Sequence, residues 1–130
     1  MELKVGLIGS VEVLVSENNT ARTMGSGALD VFATPAMISL MEKAASLALK
    51  TFIDEECSTV GTMINVKHMA ATPIGMNVTA RAELVEIDGK RLVFTVEAFD
   101  GKGKIGEGLH ERFVINAQKF ISKANSKLNE

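Results

Sequence analysis

Three hydrophobic patterns follow one another along the chain, and their order already limits the fold. Residues 3–15 alternate apolar and polar positions around Gly6 and Gly9, which predicts a strand bent or bulged at the glycines. Residues 16–30, SENNTARTMGSGALD, are rich in turn formers and predict an irregular loop or a short helix. The stretch PAMISLMEKAASLALKTFI (35–53) then supplies about five turns of good helix formers. Thr34 stands before Pro35 as the expected N-cap, since a proline loses nothing at the first helical position. The polar residues Ser39, Glu42, Lys43, Ser46 and Lys50 recur at three- and four-residue spacing. They leave the rest of the circumference to Met, Leu, Ile and Ala, so the helix is expected to be largely wrapped by other structure.

From residue 59 the period changes to strands, over roughly 59–71, 76–87, 91–100 and 104–116. The links Thr72-Pro73-Ile74-Gly75, Asp88-Gly89 and Asp100-Gly101-Lys102-Gly103 carry turn residues, and an antiparallel meander follows from them. Residues 117–128 predict a short closing helix or a fraying tail. The expected fold class is α+β: one domain over residues 1–130, with a five-stranded antiparallel sheet wrapped around a long central helix. One sheet face buries that helix. The other needs cover in a monomer, which makes dimerisation the expected remedy.

Composition removes several function classes. A net charge of −2 gives no basic footprint for nucleic acid and no polybasic membrane patch. Neither a secretory leader nor an apolar run of about 18 residues is read in the sequence. A lone cysteine, Cys57, fits a reducing, cytoplasmic setting, and the acidic run Asp54-Glu55-Glu56 beside it opposes thiolate chemistry. Two histidines without paired cysteines or ligand spacing give no zinc site, so neither metal nor cofactor is expected.

Alternation places Val60, Thr62, Ile64, Val66, His68 and Ala70 on one strand face, the better candidate for the helix side, and Gly61, Met63, Asn65, Lys67 and Met69 on the other. His68 therefore reads either as a buried, hydrogen-bonded core residue or as a catalytic base. Glu42, midway along the helix, reads either as a solvated carboxylate or as a group in need of a partner such as a histidine. Thr34 suffices as a cap, yet it also sits at a helix N-terminus, a place suited to a developing oxyanion. His110 and Arg112, two apart on one strand face, read as a polar strand face, or as a pocket arginine with His110 a neighbour supporting it.

The segments FATPAM (32–37), MEKA (41–44), VGT (60–62), VKHMAATPIG (66–75) and GEGLHERFVI (106–115) resemble, in order and over roughly residues 30–120, the fluoroacetyl-CoA thioesterase-like branch of the hotdog superfamily. The resemblance implies a threonine, glutamate and histidine site at Thr34, Glu42 and His68. It also implies Gly61, Arg112 and Phe32 near the acyl group, and a homodimer or dimer of dimers with its sites between subunits. The loop ARTMGSGALDVF (21–32) departs from that branch, whose lid carries phenylalanines; only Met24 and Phe32 are bulky here. The expected activity is hydrolysis of another short or medium acyl-CoA. The competing reading is a hotdog module that binds an acyl-CoA without turning it over. Hydration of an enoyl thioester ranks behind both, because the aspartate–histidine motif of such hydratases is not found.

Overall fold

The computed structural model of the protein describes residues 2–129. In chain order it contains β1 (Ile8–Leu14), α1 (Ala21–Met24), α2 (Thr34–Leu49), β2 (Cys57–His68), β3 (Asn77–Asp88), β4 (Arg91–Asp100), β5 (Gly103–Asn116) and α3 (Ala117–Asn125). The turn-rich stretch forms a 3-10 turn at Glu17–Asn19 and the one-turn α1. No helix among the described residues is long and apolar enough to cross a membrane.

The five strands form one antiparallel sheet in the order β1-β3-β4-β5-β2. The meander expected for all four later strands therefore holds only for β3-β4-β5. The chain between β2 and β3 is a crossover: β2 pairs with β5 at one edge, while β3 lies beyond β5 and β4, beside β1. The crossover is tied down by its own backbone. Phe32 N–H donates to the Thr72 carbonyl, Gly75 N–H donates to the Val15 carbonyl, and Pro73 bridges to Val31.

Helix α2 packs mainly over β1 and β3, burying Met37, Leu40, Met41, Ala44, Ala45, Ala48 and Leu49. It lies close because the facing strands carry small residues. Ala80, Ala82 and Ala98 are fully buried, and Gly9 sits against the Ala44 and Ala48 backbones, where a Cβ has no room. Phe94, Leu84, Leu92 and Val96 complete the core, each large side chain contributing roughly 1.5–3 kcal/mol. The expected polar stripe of α2 is the side left uncovered.

The opposite sheet face carries ion pairs. Arg91 pairs with Glu111 (2.6 Å) and Glu86 (3.0 Å), and Lys104 reaches both Glu97 and Glu107 at 2.8 Å, so charge lies on water rather than apolar surface. The thinly covered region is at β2. Its inner residues Gly61 and Ile64 stay exposed, together with Met63 and with Leu47 of α2.

Candidate active site

At the start of α2 the cap lies one residue earlier than expected. Ala33 is the N-cap, Pro35 occupies the second helical position, and no side chain caps the helix. The Thr34 hydroxyl is directed elsewhere: Oγ1 lies 2.7 Å from His68 Nδ1. The Ala33 N–H donates to the Asn19 carbonyl. By helix geometry the Thr34 and Ala36 N–H groups have no partner four residues back within α2, and Pro35 has no N–H to leave unpaired.

His68 is half-buried, and its Nε2 is enclosed without a hydrogen-bond partner. Burial pushes its pKa below the ordinary value of 6.5; the nearby Ala70 backbone opposes that shift without forming a hydrogen bond to Nε2. A neutral imidazole at pH 7 is a base ready to accept a proton. Beside the pair runs a cleft of about 250 Å³ walled by Phe32, Thr34, His68, Val31, Met69 and Ala70. Phe32 is 1% exposed and forms a rigid wall, whereas Met24 stands out in solvent.

A second cluster lies farther along α2. Arg112, nearly buried on β5, donates from Nε to Thr59 Oγ1 (2.9 Å), from Nη2 to the Thr59 carbonyl (3.0 Å) and from Nη1 to His110 Nε2 (3.1 Å). Its Nη1 also stands 3.7 Å from Glu42 Oε2. Burial lowers the Arg112 pKa and Glu42 opposes that, so the guanidinium stays cationic. Gly61 makes room for Glu42: a Cβ there would stand 2.6 Å from Oε2.

This geometry corrects the face assignment in β2. The register shifts between Gly61 and Met63, so that Thr62 and Met63 both oppose Glu111. Thr62 bonds the Glu111 carboxylate at 2.6 Å on the outer face. Before this bulge Thr59 and Gly61 face the helix; after it Ile64, Val66 and His68 do. Strict alternation misassigned Val60, Gly61 and Thr62 because the extra residue reverses the phase. A glycine inside an apolar alternation was the available signal.

Within one chain, then, Thr34, His68 and Phe32 converge, and Glu42, Gly61 and Arg112 converge separately. Glu42 follows Thr34 by eight residues, about 12 Å along the axis, and it meets Arg112 rather than His68. His110 supports Arg112, as its place two residues away on the same strand face suggested, whereas spacing missed its contact with the Met63 carbonyl and Thr59 as the acceptor for Arg112.

A model of the fluoroacetyl-CoA-specific thioesterase family matches residues 15–118. The chain belongs to this family. The fluoroacetyl-CoA thioesterase of Streptantibioticus cattleyicolor is 45% identical over 98 residues, 75% of this chain and 70% of that protein. A solved fluoroacetyl-CoA thioesterase structure superposes with a TM-score of 0.91 at 37% identity, covering 98% of both chains. A hot-dog-like protein from Thermanaerovibrio acidaminovorans superposes at 0.89 with 26% identity, over 98% of this chain and 95% of that one. The fold is the hotdog, and the family's chemistry is thioester hydrolysis, so the protein is an acyl-CoA thioesterase. Both expectations from the sequence hold.

Proposed function

We propose that this thioesterase cleaves short to medium acyl-CoA esters at Thr34 and His68, with Glu42 completing the site from a second copy of the chain. The observation that carries the reading is the 2.7 Å contact between Thr34 Oγ1 and His68 Nδ1 at an uncapped helix start. A nucleophile and a base within hydrogen-bond reach, with the base oriented by a third group, form the minimum set for acyl transfer. The Thr34 hydroxyl donates to Nδ1, which leaves the imidazole proton on Nε2. As Oγ1 attacks the thioester carbonyl, His68 takes the hydroxyl proton and returns it to the departing CoA sulfur. Water, deprotonated by His68, then releases the acid and restores Thr34. The free N–H groups of the first turn of α2 receive the oxyanion, where one donor contributes roughly 3 kcal/mol to the barrier.

Among the described residues Nε2 forms no hydrogen bond, and a carboxylate from a second copy would supply one in a shared site. Strand β2 is an edge of twelve residues with exposed apolar neighbours, a surface suited to antiparallel pairing with itself. A two-fold axis near Asn65 lies midway between Gly61, which touches Glu42, and His68. It would set Glu42 of the partner subunit opposite Nε2. The modest cleft and the scarcity of aromatic side chains in residues 21–32 favour a small acyl group other than fluoroacetyl. The lone unpaired cysteine favours a reducing, cytoplasmic setting.

The test is chromatographic measurement of free CoA across a panel of acyl-CoA lengths, for wild type and His68→Ala. Release that disappears in the variant supports the assignment; turnover within about threefold of wild type would overturn it. Binding of every ester without CoA release would instead identify a binding module.

A further inference from the structure

One residue of the second cluster takes no part in the chemistry above. His110 is 1% exposed and sits on β5 across from Ile64, immediately after the β2 bulge. Its Nδ1 lies 2.9 Å from the Met63 carbonyl, and its Nε2 lies 3.1 Å from Arg112 Nη1. A carbonyl only accepts and a guanidinium only donates, so both contacts are satisfied by one form alone, the neutral imidazole protonated at Nδ1. Burial and the Arg112 charge both hold its pKa below the ordinary value, against the opposing Met63 carbonyl.

The bulge that this imidazole grips decides where His68 points. Continued alternation from Thr59 and Gly61 would turn Met63, Asn65 and Lys67 toward α2 and His68 toward solvent. The phase change between Gly61 and Met63 brings His68 back to Thr34. The same ring, through Nε2, orients Arg112 Nη1, the nitrogen that also stands 3.7 Å from Glu42 Oε2.

We propose that His110 is a positioning residue of the thioesterase: its neutral imidazole clamps the β2 bulge through the Met63 carbonyl and steers Arg112 onto Glu42. The inference rests on the proposed roles of His68 and Glu42, but the clamp itself is readable without turnover.

The protein has two histidines, so proton–nitrogen correlation spectra of the full chain assign each tautomer directly. Wild type at neutral pH is expected to show His110 neutral with its proton on Nδ1. An Nε2-protonated or doubly protonated ring would overturn the proposal whether or not any variant folds. His110→Asn keeps a donor where Nδ1 stands, whereas His110→Gln keeps an acceptor where Nε2 stands. The Gln variant is expected to shift the His68 ring signals and to lower kcat by about 10²-fold with KM little changed, as a misplaced reacting group does. The Asn variant, which loses only the Arg112 contact, is expected to restore the His68 signals and to bring kcat back to within about tenfold of wild type. Equal behaviour of the two variants in both readouts would overturn the clamp. If wild type releases no CoA from any ester, the functional reading fails, and the His68 signals alone still decide whether His110 holds the bulge.

Discussion

Thr34 presents its hydroxyl to His68 at 2.7 Å instead of to the free N–H groups of the helix it begins. That choice separates function from stability at a single atom. An N-cap hydroxyl contributes about 1 kcal/mol to folding, whereas an exposed hydroxyl that makes no cap falls within about 0.5 kcal/mol. Thr34→Ala is therefore expected to leave the melting temperature almost unchanged while lowering kcat by about 10²-fold or more, the scale of positioned proton transfer. Thr34→Ser keeps the oxygen and should keep most of the rate. A large loss of stability in the alanine variant would return Thr34 to a capping role.

The state of His68 sets the pH dependence. Its folded pKa is lowered from 6.5 by burial, so the base is neutral and active above that range, and its protonation at lower pH removes the acceptor. The rate is expected to fall about tenfold per pH unit on the acid side of the His68 pKa. A carboxylate at Nε2 raises that pKa, so Glu42→Gln should move the acid limb to lower pH than in wild type as well as lowering the plateau. An acid limb that stays in place would mean that Glu42 does not face His68.

Two glycines face α2 with opposite consequences. At Gly9 an added methyl meets the Ala44 and Ala48 backbones, which cannot move without displacing the helix. At Gly61 it meets Glu42 Oε2 at 2.6 Å and His110 Cε1 at 3.2 Å, and the former is the end of a flexible side chain. Gly9→Ala is thus expected to destabilise by about 1–3 kcal/mol or more, the usual cost of overpacking. Gly61→Ala should cost little stability and lower kcat by about tenfold or more by pushing Glu42 off Arg112. Thermal melts and steady-state rates on the pair would show the contrast; equal melting temperatures for the two would refute it.

Local rules carried most of the architecture. Proline at the start of α2 and the Asp88-Gly89 turn each act over a few residues, and both mark their elements, with the helix beginning one residue earlier than the pattern put it. The errors arose where tertiary pairing competes with a local signal. Thr72-Pro73-Ile74-Gly75 looks like a hairpin link because it holds turn residues, yet β2 pairs with β5, a choice made by contacts nearly fifty residues apart. One extra residue at Thr62 reversed the faces of β2 on one side of the bulge, which hid Gly61 from the helix side. Thr34 and His68 were legible as candidates, but their contact spans 34 residues, and nothing in the local sequence fixes such a distance. Within its own chain Glu42 lies against Arg112 instead of His68, and spacing orders residues along α2 without saying what crosses it.

Complementation gives the most direct test of the shared site. If Thr34 and His68 act with Glu42 from the other copy, Thr34→Ala and Glu42→Ala each disable both sites of a homodimer, but in different subunits' contributions. Mixing the two inactive proteins under conditions that exchange subunits forms heterodimers. In each heterodimer one site holds the intact threonine, histidine and glutamate together, and the other site carries both lesions. With random exchange half of the dimers are mixed and half of their sites are whole, so activity should rise to about a quarter of wild type for a two-fold assembly. A site contained within one chain predicts no recovery at any mixing ratio, because every site would carry one lesion. Recovery would also locate the missing acceptor for His68 Nε2, since only the wild-type glutamate of the threonine variant can supply it.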